Sequence, residues 1–433
     1  MLLLCNLLFP FAFILYLPVF IFKLVRRGGV DRDYLQRLGI FTPERRRQLK
    51  ALDCPVWVHA VSVGEVIAAC TFINEWRQRH PEKTFVLSTT TTTGHAVAKR
   101  KLPPNTVLCY CPLDFYPFVR SALNAIRPSM LVIFEVEIWP NLIRLSARRN
   151  ISVALVNARM SERSAKGYAK YRKLFKPIFE SFSVICAQSE VDRDRIKNVC
   201  GDTVSVHVCN SMKFDQVSEQ AGSQREEMLK LAFGEGEHFV WTAASTHAGE
   251  EEIILEVFGR LKEYLPKLKL ILVPRHHERT AEVEEILKRY EIAYHRFTDL
   301  KGKHPGRGEK SEAGDCLLVN TTGVLVDFLQ LSDVVFVGKS LAGNHGGHNI
   351  IEPAIYGKPI IHGPNMENFT LIVQCFREDD AAWEVQDKDE LQSAVSRFYH
   401  DNDFREAFGK RARQTVDTYK GAVDKTLNHL SRI

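Results

Sequence analysis

Acidic residues that could do acid–base chemistry stand at the ends of apolar runs in this sequence of 433 residues. Glu65 follows "HAVSVG" and precedes the apolar stretch "VIAAC", so it is expected in the first turn of a helix. Backbone amides at a helix start stabilise a carboxylate, which could act there as a general base toward an acceptor hydroxyl. The alternative is an acid that only complements the helix dipole, and position alone favours that alternative.

Glu135 and Glu137 flank a valine at the end of the strongly apolar run "MLVIFEVE". Because side chains alternate along a strand, the two carboxylates are expected on opposite faces, with only one reaching a site. Glu137 is the better catalytic candidate because it immediately precedes "IWPN", where a strand would turn into a helix. A buried acid paired with an arginine is the alternative.

Basic residues follow other apolar runs and could bind an anion. Arg159 and Ser161 belong to "NARMSERS", and an arginine there could bind a carboxylate or a phosphate through two hydrogen bonds. Lys213 lies in "NSMKFD" near the expected domain junction, and Arg275 follows a strand-like run and a proline. Cations at these two places suit an anionic donor, although a surface arginine alone is a weak indication.

The stretch "GGHNIIEPAIYGKPIIHGP", residues 346–364, combines glycines, a polar pair and a glutamate. Gly346 and Gly347 would let backbone amides approach an anion just before a helix that begins near Asn349. Glu352 would share a face with Asn349. Because a carboxylate cannot bind phosphate, Glu352 is expected to accept hydrogen bonds from a ribose diol. A capping pair in a tight turn is the equally weighted alternative.

Short apolar runs alternate with longer amphipathic stretches from residue 55 onward, and the series restarts after a polar patch at residues 216–237. This alternation predicts two doubly wound α/β domains built on buried parallel strands and meeting near residue 215. Ligands of such sheets bind beyond the carboxyl ends of the strands. Since the candidate residues follow the ends of the runs, we expect them at one edge of each sheet, facing a shared cleft.

The N-terminus carries an uncharged apolar run over residues 2–22, followed at once by Lys23, Arg26 and Arg27. That length is about what a bilayer core requires, and the positive flank places the rest of the chain in the cytoplasm. We therefore expect a membrane anchor or an interfacial helix over residues 1–27. A core helix is the alternative.

Composition and charge exclude several classes of protein. The net charge is +6, and residues 1–50 alone supply this excess, so the basic segment is expected to lie against anionic headgroups. The remainder of the chain is close to neutral, which argues against a nucleic-acid-binding protein. The ten cysteines include no CxxC pair, and the adjacent His276 and His277 lack the spacing of metal ligands. We expect no metal site, and reduced cysteines that behave as small apolar residues.

Several motifs follow one another in a fixed order behind the N-terminal run. They are "HAVSVGE", "EVEIWPN", "NARMSERS", "NSMKFD", "ASTHAGEEE", "LVPRHHER" and "GGHNIIEPAIYGKPIIHGP". This series resembles the 3-deoxy-D-manno-octulosonic acid (Kdo) transferases of lipopolysaccharide synthesis, from the apolar run to about residue 375. The resemblance implies a GT-B fold of two Rossmann-like domains, CMP-Kdo as donor, a lipid A precursor (lipid IVA) as acceptor, and a cytoplasm-facing position on the inner membrane.

The same resemblance implies how the chain divides and which residues act. The anchor would span residues 1–27, an acceptor-binding domain 28–215 and a donor-binding domain 216–433. On the acceptor side, the residues that match family motifs are Glu65 as general base, Glu135, Glu137, Arg159 and Lys213. On the nucleotide side, they are Arg275, Ser340, Gly346, Gly347, Asn349 and Glu352.

Two positions depart from the family pattern close to the expected nucleotide pocket. Val324 stands where family members usually have the glutamate of a Gly-Glu-Leu motif. Lys339 lies between Gly338 and Ser340, where family members tend to have Gly-Gly-Ser.

The implied reaction is a single in-line displacement with inversion. Glu65 would take the proton of the acceptor hydroxyl, while Lys213, Arg275 and the amides before residue 349 stabilise the departing CMP. Because those donors are fixed, no divalent metal and no other cofactor is expected. The alternatives are another GT-B enzyme, such as a UDP-sugar transferase or an epimerase, and a non-catalytic, membrane-anchored lipid-phosphate binder, which Val324 makes conceivable.

Overall fold

The computed structural model describes residues 6–7, 32–217, 225–300 and 313–433. Apart from Asn6 and Leu7, the predicted anchor at residues 1–27 lies outside this part of the chain. Within the described residues, no helix combines the length and the apolar character that crossing a bilayer requires.

The chain forms two compact units. The first comprises Met1–Gln216 together with Lys420–Ile433, and the second comprises Val217–Tyr419. The predicted division after residue 215 differs from this in one important respect. The end of the chain, which we assigned to the second domain, belongs to the first unit.

The first unit contains a seven-stranded parallel sheet whose strand order is β3-β2-β1-β4-β5-β6-β7. The strands are β1 (Val56–Ala60), β2 (Phe85–Thr89), β3 (Thr106–Tyr110), β4 (Met130–Phe134), β5 (Ser152–Ala158), β6 (Val184–Ala187) and β7 (Val206–Val208). Every apolar run predicted in this half forms a strand. The runs are apolar because both faces of the sheet are covered: Trp57 and Leu131 join one buried cluster, while Val58 and Val132 join another.

Helices connect these strands. They are α1 (Pro43–Ala51), α2 (Val63–Arg79), α3 (Thr92–Lys101), α4 (Tyr116–Ile126), α5 (Pro140–Arg148), α6 (Glu162–Lys170), α7 (Arg172–Phe179) and α8 (Glu190–Cys200). Two short 3₁₀ segments, Arg32–Leu38 and Gly201–Thr203, complete this half of the chain.

The second unit also contains a seven-stranded parallel sheet, in the order β10-β11-β9-β8-β12-β13-β14. Its strands are β8 (Phe239–Thr246), β9 (Leu268–Pro274), β10 (Tyr294–Arg296), β11 (Cys316–Leu318), β12 (Val334–Val337), β13 (Ile360–His362) and β14 (Trp383–Glu384). The strands β10 and β14 were not predicted. They are two or three residues long, lie at the sheet edges and carry polar residues, so no apolar run marks them.

The helices of the second unit are α9 (Arg225–Phe233), α10 (Glu250–Lys262), α11 (Thr280–Arg289), α12 (Phe297–Leu300), α13 (Leu325–Leu331), α14 (Ile351–Ala354), α15 (Thr370–Glu378), α16 (Lys388–His400) and α17 (Asn402–Tyr419). Short 3₁₀ segments lie at His277–Arg279 and Glu367–Phe369.

The last helix, α18 (Ala422–Leu430), completes the first unit. Its Val423 and Leu427 are buried in the same apolar cluster as the inner residues of β1 and β2. Gly421 precedes the helix and has no side chain to cap it. The carboxylate of Asp215 takes that role by accepting hydrogen bonds of 2.7 Å from the amides of Gly421 and Val423.

Each sheet has one point where the strand order reverses. In the first sheet this point lies between the paired strands β1 and β4, and in the second between β8 and β12. The loops after such strands diverge and leave room for a ligand. Glu65 and Glu135 follow β1 and β4, while His247 and Lys339 follow β8 and β12. The fold therefore brings candidate residues to the switch point of each sheet.

Candidate active site

Glu65 lies in the first turn of α2 and forms a capping box with Ser62. One carboxylate oxygen accepts the amide hydrogen of Val61 at 2.9 Å and the other that of Ser62 at 3.1 Å, while the Ser62 hydroxyl accepts the Glu65 amide. The side chain is almost fully buried. Glu65 thus makes the capping contacts of the alternative interpretation, and these contacts also fix the position of its carboxylate at the end of β1.

Both glutamates of the "EVEIWPN" motif lie close to Glu65. Burial, followed by the negative charge of Glu65, raises the pKa of Glu135 to about 7. Burial and the same charge raise the pKa of Glu137 to about 7, and the nearby indole of Trp139 opposes this rise. The expectation that only one of the two could face a site is wrong. The strand β4 ends at Phe134, and Glu135 adopts a left-handed φ of 54°, so strand alternation no longer applies.

Two cations accompany these three carboxylates. The positive charges of Lys213 and Arg159 partly offset the rise in the Glu135 pKa, which shows that both lie nearby. Burial lowers the pKa of Lys213, and the charge of Glu135 opposes that shift. Six residues of the first unit were predicted to act in the site, and five of them, all except Ser161, lie close together there.

A buried asparagine positions the loop that carries Lys213. Asn157 is the last polar residue before the end of β5 and adopts a left-handed φ of 50°. Its side-chain oxygen accepts the amide hydrogen of Met212 at 3.0 Å, and its carbonyl accepts a hydrogen bond from Gln188. Asn157 is the first residue of "NARMSERS", and no role was predicted for it from the sequence.

Ser161 has a structural contact of its own. It is exposed and caps α6, because its hydroxyl accepts the amide hydrogen of Ser164 at 3.2 Å. Its predicted contact with a substrate remains a prediction.

In the second unit, a single buried carboxylate holds two loops together. Glu250 accepts hydrogen bonds from the amides of His247 (2.9 Å), Lys339 (2.8 Å), Ser340 (2.9 Å) and Leu341 (3.0 Å). Burial raises its pKa, and the four amides oppose that rise. The sequence "ASTHAGEEE" does not indicate which glutamate accepts these amides, and no role was predicted for Glu250.

Three residues predicted to contact the nucleotide form hydrogen bonds with other groups of the protein. The hydroxyl of Ser340 donates to the Val337 carbonyl at 2.7 Å and accepts the Gly363 amide at 2.8 Å, with the side chain fully buried. The amide of Gly346 donates to the Glu367 carboxylate at 2.6 Å, and that of Gly347 donates to the Lys339 carbonyl at 2.9 Å.

These contacts give the two glycines a different role from the predicted one. Gly347 has a φ of 65°, and a β-carbon there would overlap the sulfur of Met366. The glycines thus form a tight turn, and their amide hydrogens point to protein acceptors rather than to an open anion site.

The helix expected after Asn349 is shorter than predicted. α14 has four residues, too few for a helix dipole to build an anion site. The side chain of Asn349 accepts the Ile351 amide at 3.1 Å and donates to Glu352 at 3.3 Å. Burial raises the pKa of Glu352, while the contact with Asn349 and the charge of Arg275 lower it. The capping pair is therefore present, and the carboxylate of Glu352 also lies near Arg275.

Two histidines form a hydrogen-bonded pair beside these residues. The Nε2 atoms of His247 and His348 are 3.0 Å apart, so one nitrogen must carry a hydrogen while the other accepts it. Burial, followed by the charge of Lys339, lowers the pKa of His247 to about 4. Burial, followed by the charge of Arg275, lowers the pKa of His348 to about 3. The pair is therefore neutral at physiological pH and sits among cations.

Lys339 has an unusual backbone conformation at the end of β12. Its φ of 60° lies in the left-handed region, which costs a residue with a β-carbon about 1 kcal/mol. Its neighbour Gly338 is needed for close packing, since a β-carbon there would approach the Ser245 carbonyl to 2.7 Å.

Among the described residues, no three side chains of histidine, cysteine, aspartate or glutamate gather as metal ligands.

Comparison with known proteins identifies the family. The sequence model of the 3-deoxy-D-manno-octulosonic-acid transferases matches residues 32–216. The 3-deoxy-D-manno-octulosonic acid transferase of Haemophilus influenzae is 30% identical over 409 residues, covering 92% of this chain and 94% of that protein. This chain belongs to the Kdo transferase family. The transferase of Chlamydia trachomatis, 24% identical, covers 96% of this chain and 93% of its own.

Solved structures agree on the fold of this Kdo transferase family member. A UDP-GlcNAc 2-epimerase from Neisseria meningitidis superposes with a TM-score of 0.55 at 11% identity, covering 86% of this chain and all of that one. A glycosyltransferase from Rickettsia africae gives a TM-score of 0.56 at 10% identity, with 86% and 97% covered. The two Rossmann-like units are those of a GT-B fold, and family membership makes the protein a glycosyltransferase.

The two departures from the Kdo transferase pattern have different structural settings. Val324 packs at the start of α13 against an apolar cluster that includes Phe328, where an aliphatic side chain fits. Lys339 instead places a β-carbon at a position suited to glycine.

We predict that Glu250→Ala destabilises the second unit severely. The substitution leaves four buried amides without their acceptor, at a cost of at least about 4 kcal/mol in the free energy of unfolding. Urea unfolding followed by circular dichroism measures this loss. Glu250→Gln keeps one acceptor oxygen and should fall between the wild type and Glu250→Ala. The exposed Glu263→Ala serves as the control, and a similar small effect for Glu250→Ala and this control contradicts the prediction.

We predict that Glu135→Gln changes how stability depends on pH. Because the pKa of Glu135 rises from an ordinary 4.5 to about 7 on folding, the folded protein binds more protons between these values. Wild-type stability therefore falls as pH rises through this window, and the glutamine variant escapes the loss. Relative to wild type, the variant should gain up to about 1.4 kcal/mol per pH unit across the window.

Urea unfolding at about pH 5, 6, 7 and 8, a range that covers most of this window, measures the difference in stability between the variant and the wild type. Glu44→Gln, which changes an exposed carboxylate of the same unit that makes no ion pair among the described residues, should show a flat difference. A flat difference for Glu135→Gln as well contradicts the buried, charge-coupled setting described above.

Proposed function

We propose that this enzyme transfers Kdo from CMP-Kdo to a lipid A precursor, lipid IVA, with inversion at the anomeric carbon. One observation carries the proposal: in a member of the Kdo transferase family, Glu65, Glu135, Glu137, Lys213 and Arg159 share one site at the switch point of the first sheet. Such a site can accept a proton and hold an anion at the same place.

Glu65 is the general base of this proposal. The acceptor hydroxyl attacks the anomeric carbon, its proton passes to the Glu65 carboxylate, and the bond from that carbon to the phosphate oxygen breaks. CMP leaves with the electron pair. Because amides fix both oxygens of Glu65, its carboxylate needs no reorganisation when the substrate arrives.

Glu137 and Lys213 assist that step. A carboxyl with a pKa of about 7 can hold or release a proton near neutral pH, so Glu137 is suited to relay the proton taken by Glu65. Lys213 and Arg159 stabilise negative charge on the reacting sugar, and Glu135 keeps both cations in place.

The second unit binds the nucleotide. Arg275 lies close enough to affect the pKa values of Glu352 and His348, so it can face a phosphate while Glu352 accepts hydrogen bonds from the ribose diol. Since these cations balance the charge of the departing CMP, we propose that the transfer uses no divalent metal.

The acceptor is a lipid, and the N-terminal segment holds the enzyme at the membrane. The apolar run at residues 2–22 has the length of a bilayer core and precedes a basic segment. Asn6 lies within this run and is bonded to the first unit: its side chain donates to Asn141 at 2.8 Å and accepts the Tyr116 amide at 2.9 Å. We propose that this anchor places the enzyme on the cytoplasmic face of the inner membrane.

Purified enzyme incubated with CMP-Kdo and lipid IVA tests the proposal. We expect a lipid product heavier by Kdo, release of CMP, and an unchanged rate when a chelator is added. UDP-GlcNAc in place of CMP-Kdo serves as the competing donor. Transfer from the UDP-sugar but not from CMP-Kdo, or no transfer from either, refutes the proposal.

We predict that Glu65→Gln lowers the rate of transfer by roughly 10²-fold or more, the scale of general-base catalysis, while CMP still binds. Glutamine can accept only one of the two amide hydrogens, so stability should fall by about 1 kcal/mol. Urea unfolding confirms that the variant is folded under assay conditions. Glu82→Gln is the matched control, and turnover of Glu65→Gln comparable to that control excludes Glu65 as the base.

A further inference from the structure

Lys339 is held in its left-handed conformation by backbone contacts on both sides. Its amide donates to Glu250 at 2.8 Å, and its carbonyl accepts the Gly347 amide at 2.9 Å. Neither contact uses the side chain, so glycine would make both of them without the strain of a φ of 60°. The loop itself therefore does not require a lysine at this position.

The side chain of Lys339 reaches the loop that carries the histidine pair. Its Nζ lies 3.7 Å from the place where a β-carbon would stand at Gly346. Its positive charge also lowers the pKa values of His247 and His348. The ammonium group, the neutral histidine pair and Arg275 thus gather at the carboxyl ends of β8, β9 and β12.

Within the described residues of the second unit, Glu352 is the carboxylate whose pKa the charge of Arg275 lowers, and it accepts a hydrogen bond from Asn349. The carboxylate of Glu250 is occupied by its four amides, and Arg279 pairs with Glu251 and Glu282. Neither Lys339 nor Arg275 lies within ion-pair distance of a carboxylate there. Two neighbouring cations without an ion pair, Lys339 half-buried and Arg275 exposed, favour an anionic ligand.

We infer that Lys339 binds the phosphate group of the CMP donor, an inference that rests on the function proposed above. The side chain adds a charged donor to a site whose glycine amides are already engaged by Glu367 and by the Lys339 carbonyl. Binding of the phosphate would then compensate for the strained backbone of this residue.

Three variants separate the charge of Lys339 from its backbone. Lys339→Met keeps a β-carbon and the length of the side chain but removes the charge. Lys339→Gly removes the charge and the strain together, and Lys339→Arg keeps the charge. Lys288→Met removes an exposed lysine from the far end of α11 and serves as the control.

Titration calorimetry with CMP and with cytidine measures the effect on the full-length enzyme. Lys339→Met and Lys339→Gly should weaken CMP binding by roughly tenfold or more, the range of hydrogen bonds to charged groups, while cytidine binding stays at the wild-type level. Lys339→Arg and the control should bind CMP nearly as well as wild type. Urea unfolding should show Lys339→Gly at least as stable as Lys339→Met.

Wild-type affinity for CMP in Lys339→Met overturns the role of Lys339. An equal loss of affinity for CMP and cytidine also contradicts the inference, because the substitution would then affect nucleoside binding or the loop structure rather than a contact with the phosphate. If the wild-type enzyme itself does not bind CMP, the proposed donor fails, and the inference about Lys339 fails with it.

Discussion

Glu250 is buried and accepts hydrogen bonds from one amide of the loop after β8 and three consecutive amides of the loop after β12. Four buried amides need an acceptor, and a carboxylate satisfies all of them at once. These hydrogen bonds hold the left-handed turn at Lys339, whose carbonyl accepts the Gly347 amide. They also hold the loop that places His247 beside His348. The candidate nucleotide site of the second unit therefore lies on the two loops that Glu250 holds together.

The first unit obtains its site by a different means. Glu65, Glu135 and Glu137 place three acids at one switch point, and the cations Lys213 and Arg159 only partly offset their repulsion. Burial, followed by the negative charge of Glu65, raises the pKa values of Glu135 and Glu137 to about 7. A site that binds a proton near neutral pH follows from this burial and from the closeness of the acids.

Much of the fold could be predicted because buried parallel strands appear in the sequence as apolar runs. The carboxyl ends of these strands then indicate where a ligand binds. Edge strands such as β10 and β14 were missed because they need no apolar run. The prediction that Glu135 and Glu137 point to opposite faces was wrong, because the strand ends at Phe134 and the left-handed Glu135 no longer follows strand alternation. The helix α14 was predicted to be longer than its four residues. The role of Glu250 depends on amides about 90 residues away, which no local sequence pattern indicates.

The position of α18 has a consequence for how the molecule is made. The second unit, Val217–Tyr419, is an insertion between the two parts of the first. During synthesis, the first unit therefore keeps an open apolar surface until α18 emerges, after the whole of the second unit has been translated. Only a chain in which the second unit has already been translated can bury Val423 and Leu427 in the same apolar cluster as β1 and β2, so a fully folded first unit requires that the second unit has been made.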